Sequence, residues 1–185
     1  MEARYMNKSY TLIEVLVAVS IFTIVIAAPA GFLVGSLKGQ QKALASQKLL
    51  DNTSYTLEYI SRALRMAKKE LSAPACLSQN GLNYEITRSE TGLKFINYKE
   101  ECQEFFLEGT RLKESKDGIE NYLTAEDLEI IDLKFRLSGQ SQADNDQPRV
   151  TLFLEIKGGR GQRAELRPLI KIQTTISQRN LDVFY

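Results

Sequence analysis

A single carboxylate, Glu14, stands inside an otherwise uncharged apolar run from Leu12 to Leu37. An acid in hydrocarbon costs about 2.5–3.5 kcal/mol on insertion scales, so one placed there is a candidate for a specific task. The chemistry open to it is ion pairing, because an ammonium within a few ångströms offsets much of the desolvation cost in a low dielectric. The alternative is simple hydration, as Glu14 lies only two residues inside the run and could stay at an interface.

The second pair of reactive side chains is Cys76 and Cys102. They are too few and too far apart for a metal site. They suit one disulfide if this part of the chain lies outside the cytoplasm, or else two buried thiols. A bridge would tie the end of a helix to a third strand and add roughly 3 kcal/mol in the chain-entropy view.

Other candidates lead nowhere sharp. Asp144-Asn145-Asp146 offers oxygen ligands, but matches no defined calcium loop and lacks a clustered bidentate acid, so a solvated loop is the better reading. Glu100-Glu101 and Glu126-Asp127 read as solvated turns. Gly158-Gly159-Arg160-Gly161 reads as a turn region and lacks the Lys-Ser/Thr of a phosphate loop. There is no histidine, which removes the usual general base and the commonest zinc ligand. A net charge of +1 gives no electrostatic footprint for nucleic acid. The expectation is a protein with no catalytic residues, metal or cofactor.

The elements that carry these residues divide sharply. Leu12 to Leu37 is about 26 residues long, and roughly 20 suffice to span a hydrocarbon core. A secretory signal has a shorter apolar region; Ala27-Ala28-Pro29-Ala30 could imitate its cleavage site but lies deep in the block. Arg4 and Lys8 before the span are balanced by Lys38, Lys42 and Lys48 after it, so charge does not choose an orientation. Ala27, Gly31, Gly35 and Gly39 recur every four residues and make a face of small side chains that lets helices approach closely in lipid. Pro29 among them frees a backbone carbonyl and predicts a kink.

From about residue 40 to 71 the run turns amphipathic. Leu50, Thr53, Leu57, Ile60, Leu64, Ala67 and Leu71 form one apolar stripe on a helix that Pro74 closes off. Residues 72–185 then read as a β-rich head. Strands are predicted at 82–88, 93–99 and 103–107, with turns at Thr91-Gly92 and Glu108-Gly109. Further strands are predicted at 128–137, 150–157 and 169–177, the first of them with Ile131, Leu133, Phe135 and Leu137 on one face. The fold class is α+β: one long helix packed on an antiparallel sheet.

Lys8-Ser9-Tyr10-Thr11-Leu12-Ile13-Glu14-Val15-Leu16-Val17-Ala18 resembles the N-terminal signal of type IV pilins and type II secretion pseudopilins. The resemblance implies a leader of residues 1–9, cleavage by a prepilin peptidase between Ser9 and Tyr10, and N-methylation of Tyr10. It makes Glu14 the acid that meets a neighbouring subunit's N-terminal amine in a filament. Ser9 stands where the family usually has Gly, and Tyr10 where it usually has Phe. The late pattern PRVTLFLEIKG…IQTTISQRN is similar to the last strands of J-type and I-type minor pseudopilins, and Glu14 separates the chain from the K-type, which lacks the acid.

The implied partners are the peptidase, other pilins or pseudopilins, an inner-membrane assembly platform, and lipid before assembly. The implied location is the bacterial inner membrane, with one span and the head outside the cytoplasm, and then a pilus or pseudopilus. The competing expectation is a signal-anchored extracytoplasmic enzyme or adhesin.

Overall fold

The computed structural model describes residues 9–72, 75–140 and 146–179. One long helix, α1, runs from Leu12 to Arg65. Antiparallel strands follow: β1 (Tyr84–Thr87), β2 (Gly92–Ile96), β3 (Cys102–Glu108), β4 (Arg111–Lys116) and β5 (Ile119–Tyr122) form one five-stranded meander. A second sheet holds β6 (Glu129–Ser138), β7 (Arg149–Lys157) and β8 (Leu169–Ser177) in that order. The layout is α+β and pilin-like, with two sheets where one was expected. Its contacts divide into two units, Met1–Gln41 and Lys42–Tyr185.

In the second unit α1 supplies Leu49, Ile60 and Leu64 to a core shared with both sheets. The buried stripe is Leu49, Thr53, Thr56, Ile60 and Leu64, whereas Leu50 and Leu71 are 52% and 77% exposed. Leu49 and Leu50 are equally apolar, and the three-and-four spacing to Thr53 and Leu57 admitted Leu50. Thr53 and Thr56 qualify for the core because their hydroxyls donate to the carbonyls of Leu49 and Asn52, at 2.6 and 2.9 Å.

The helix ends at Arg65, well before Leu71 and Pro74. Tertiary donors take its last carbonyls in place of a glycine cap. The Tyr84 hydroxyl donates to Leu64 O (2.7 Å), Arg179 N–H to Arg65 O (2.8 Å) and Gln178 Nε2 to Ala67 O (2.8 Å). Lys68 N–H then donates to Ile96 O at 2.9 Å, drawing the chain into the meander.

The strands beyond Leu107 show what polar patterning conceals. Neither β4 (RLKESK) nor β5 (IENY) has an apolar alternation, so no strand was expected there. Charges hold them together instead: Lys113 bridges Glu108 at 2.6 Å and Glu120 at 2.9 Å. The available signal was Asp117-Gly118, a two-residue hairpin turn with φ of 48° and 84°. In β6 a bulge between Ile130 and Asp132 shifts the register. Ile130 is buried and Ile131 is 51% exposed, which corrects the face assigned to Ile131.

The turn expected at Thr91-Gly92 is made by Arg88, Ser89 and Glu90, all at positive φ, while Gly92 opens β2. A Cβ at Gly92 would collide with Thr87 Oγ1, so the residue is there for close approach. The helical stretch around Pro29 stays within α1.

Cys76 and Cys102 are bridged, with Cα atoms 5.4 Å apart, which selects the disulfide over free thiols. The Glu70 carboxylate organises the approach to it. Buried at 2% exposure, it accepts from Cys76 N–H (2.9 Å), Ser72 N–H (3.0 Å) and Leu77 N–H (3.2 Å). The Cys76 bond most of all holds the carboxyl below the usual range, against the opposing effect of burial, with Ser72 and Leu77 adding to it.

A lowered folded-state pKa means that the unfolded chain binds the proton first. The stabilisation is therefore complete above the ordinary glutamate pKa and is lost as pH falls through the lower, folded value. Glu70→Ala leaves buried N–H groups unpaired and should cost about 1–3 kcal/mol at pH 7. In urea titrations its deficit should shrink at pH 3; an equal deficit at both pH values would refute this role.

Candidate processing and assembly site

Around the N-terminal acid the backbone leaves helical geometry at Thr11, so Ser9 and Tyr10 precede the helix. Thr11 is the cap. Its carbonyl accepts from Glu14 N–H (3.1 Å) and Val15 N–H (3.3 Å), and its Oγ1 lies 3.4 Å from Glu14 N as a further acceptor. Thr-x-x-Glu at 11–14 is also a capping-box pattern, and that signal could have identified Thr11 from sequence. An acid in the first turn also suits the positive end of the helix dipole.

Glu14 is exposed and makes no ion pair among the described residues. With Tyr10, Val15, Ala18, Val19 and Phe22 it lines an open, apolar-walled concavity on one helix face. Tyr10 is 76% exposed there. The structure thus places Tyr10 and Glu14 together, with the Ser9–Tyr10 bond just outside the helix.

Every described side chain from Leu12 to Leu44 is exposed, and an 18-residue window of the helix reaches a mean hydropathy of 2.4. Its hydroxyls spend themselves on the helix: Ser20 donates to Leu16 O and Thr23 to Ser20 O, both at 2.8 Å. Such internal satisfaction is what a polar side chain needs in a water-poor surrounding. Gly31, Gly35 and Gly39 meet nothing within 4 Å. Ala27 and Pro29 are likewise exposed, so nothing in this unit covers the small-residue face.

In the head, the acids singled out from sequence are occupied. Glu100 takes Lys68 at 2.8 Å, Asp127 takes Lys48 at 2.8 Å, and Glu101 accepts from Asn97 at 3.0 Å. Glu126 lies 3.8 Å from Arg111. A further cluster centres on Glu114, which accepts from Tyr59 OH (2.7 Å) and Gln103 Nε2 (3.1 Å) and pairs with Lys116 at 3.3 Å. Burial pushes the Tyr59 phenol up, partly countered by Lys116. The groove beside it is lined by Tyr55, Met66, Tyr98 and Ile119. The cluster's polar atoms are spent on one another. Of the acidic loop, Asp144 and Asn145 lie outside the described residues, and no metal-holding group of acids and cysteines occurs among the described ones.

The cap has a direct test. Thr11→Ala should cost the helix start about 1 kcal/mol, and Thr11→Ser little. Hydrogen exchange of the Glu14 and Val15 amides in micelles reads it; unchanged protection in the alanine variant would remove Thr11 from this role.

Neither a curated protein nor a solved structure matches the chain significantly. Residues 4–28 match the family model of the prokaryotic N-terminal methylation motif, which spans Ser9, Tyr10, Thr11 and Glu14. That match, the uncovered apolar helix and the two-sheet head agree on one reading: the chain carries a prepilin-type N-terminus of the kind found in type IV pilins and pseudopilins.

Proposed function

We propose that this chain is a pilin-like filament subunit, of the minor pilin or minor pseudopilin kind. A prepilin peptidase cuts between Ser9 and Tyr10, and the new amine of Tyr10 is methylated, a change that keeps its charge. Residues 12–37 hold the subunit in the inner membrane until an assembly platform passes it into a filament. There Glu14 meets the terminal amine of a neighbour. The head works by contact and not by catalysis, with no catalytic residues, metal or cofactor of its own. The system served would be type II secretion, a type IV pilus or DNA uptake, and the J- or I-type likeness of the last strands favours a minor pseudopilin.

The observation that carries this reading is the match at residues 4–28 falling on a helix whose apolar surface is exposed all round. Such a surface is stable in lipid or against other apolar helices, and the two environments succeed each other during assembly. In lipid the lone Glu14 is unfavourable by about 2.5–3.5 kcal/mol; an ammonium partner in the filament offsets that cost. Assembly thus favours the acid's charged, paired state. Gly31, Gly35 and Gly39 supply a face against which a neighbour's helix can close. A signal-anchored enzyme or adhesin would share the anchor but has no use for Glu14.

Two measurements test the proposal. Co-expressed with a prepilin peptidase, the chain should yield a mature N-terminus at Tyr10 carrying one added methyl group by mass spectrometry. An uncut chain, or a cut after Ala30, would sink the reading. Glu14→Ala should be cleaved normally yet be depleted from sheared filaments; incorporation at the wild-type level would dismiss the pairing role of the acid.

A further inference from the structure

A groove follows one flank of α1, between the helix and the β2–β3 and β4–β5 turns. Its volume is about 890 Å³, and it lies wholly within the unit Lys42–Tyr185. Tyr55 and Met66 of α1 line it on one side, and Tyr98 and Ile119 on the other. All four are exposed. Single exposed apolar residues are ordinary on a protein surface, but four around one concavity mark a place for a partner. The polar floor offers a ligand little, because Tyr59, Gln103, Glu114 and Lys116 bond to one another. A group that fits here is therefore mainly apolar.

The chain brings such a group to the groove's mouth. After β8, Arg179 N–H donates to Arg65 O at 2.8 Å, and Arg65 adjoins Met66. Gln178 Nε2 secures the same place by donating to Ala67 O at 2.8 Å. These bonds deliver the chain from β8 to the helix end. Residues 180–185, with the sequence NLDVFY, come next and lie outside the described residues. Fully extended, six residues reach about 20 Å. The α1 wall from Met66 back to Tyr55 is about 16 Å long, at 1.5 Å per residue. Leu181, Val183, Phe184 and Tyr185 are apolar or aromatic, and Asp182 carries the one side-chain charge.

We propose that residues 180–185 dock in this groove of their own chain and close it. Leu181, Val183 and Phe184 supply the apolar contact, against Met66, Tyr55 and Tyr98. Aromatic rings and a thioether suit one another at such a contact. Asp182 is the third residue after Arg179, a reach of about 10 Å, and meets Arg62 on the rim. Arg62 pairs with Glu58 at 2.7 Å with both side chains well exposed, so a second carboxylate can share it. The anchoring of Arg179 beside the mouth also favours this occupant over a second copy. A tether this short holds the segment at a local concentration that a separate chain does not match. The contact involves only this unit and does not depend on how the N-terminus is processed.

Photocross-linking of the full-length chain in detergent micelles tests the docking. Phe184 is replaced by p-benzoylphenylalanine, and isotopically light and heavy chains are mixed before irradiation. Peptides holding Tyr55–Met66 or Tyr98 should be joined to the 180–185 peptide within one isotope. Thiol access gives a second readout, with an intact Cys76–Cys102 bridge as the check on folding. Tyr98→Cys should react with a maleimide roughly tenfold faster once residues 180–185 are deleted, as for a docked segment open about one time in ten. Val183→Asp in the full-length chain should speed the reaction in the same direction. Links between light and heavy chains would overturn the proposal by giving the groove to a second copy. Links solely elsewhere on the chain, or equal thiol rates with and without residues 180–185, would overturn it outright.

Discussion

The constraint on which the rest depends is that one helix must satisfy two surroundings. From Leu12 to Leu37 α1 is apolar on nearly every side, and none of the described side chains in that stretch is buried. From Leu49 onward it presents one buried face and leaves the others polar. An all-round apolar surface is unfavourable in water, and the charged face of a one-sided helix is unfavourable in a hydrocarbon core. The change of pattern after Leu37 is thus a change of solvent written into the chain. Each half accommodates its polar atoms accordingly. Ser20 and Thr23 fold their hydroxyls back on the helix, while Thr53 and Thr56 do so against a protein core.

The same logic sorts what could be read from the amino acids alone. The helix, the Glu14 context and six of the eight strands were legible because they rest on local periodicity or on a short motif. The helix end was not, because it is set by Tyr84, Gln178 and Arg179, residues remote in sequence. The polar strands β4 and β5 were invisible to a hydrophobic count, since their stability comes from Lys113 between two glutamates and from Arg111 stacked 3.8 Å over Tyr122. The bulge at Ile131 was hidden for a related reason. Ile130 and Ile131 are equally apolar, and only the register with β7 decides which one faces in.

For the candidate site the motif disclosed Ser9, Tyr10 and Glu14, but the cap at Thr11 emerged with the geometry. Thr11 and Glu14 belong to one local device as well as to one motif. The residue that starts the helix also fixes where the non-helical stretch of Ser9 and Tyr10 stops. Charge placement in the head follows a similar economy. Many of its described acids are matched by nearby lysines, arginines or backbone N–H groups, whereas Glu14, in the apolar segment, makes no ion pair among the described residues.

The capture of the helix end by the residues that follow β8 has a consequence for the order of events. Arg65 and Ala67 receive their donors from Arg179 and Gln178, more than a hundred residues later. Loop closure over that separation is slow, and it cannot begin until residue 179 has left the ribosome. The β1–β5 meander, built of neighbouring strands, can form sooner and reaches the helix end first, through Tyr84 to Leu64 O and Lys68 to Ile96 O. Until Gln178 and Arg179 arrive, the carbonyls of Ala67 and Arg65 lack these donors, so the helix end is closed in two stages and its last lock comes from the segment that follows β8.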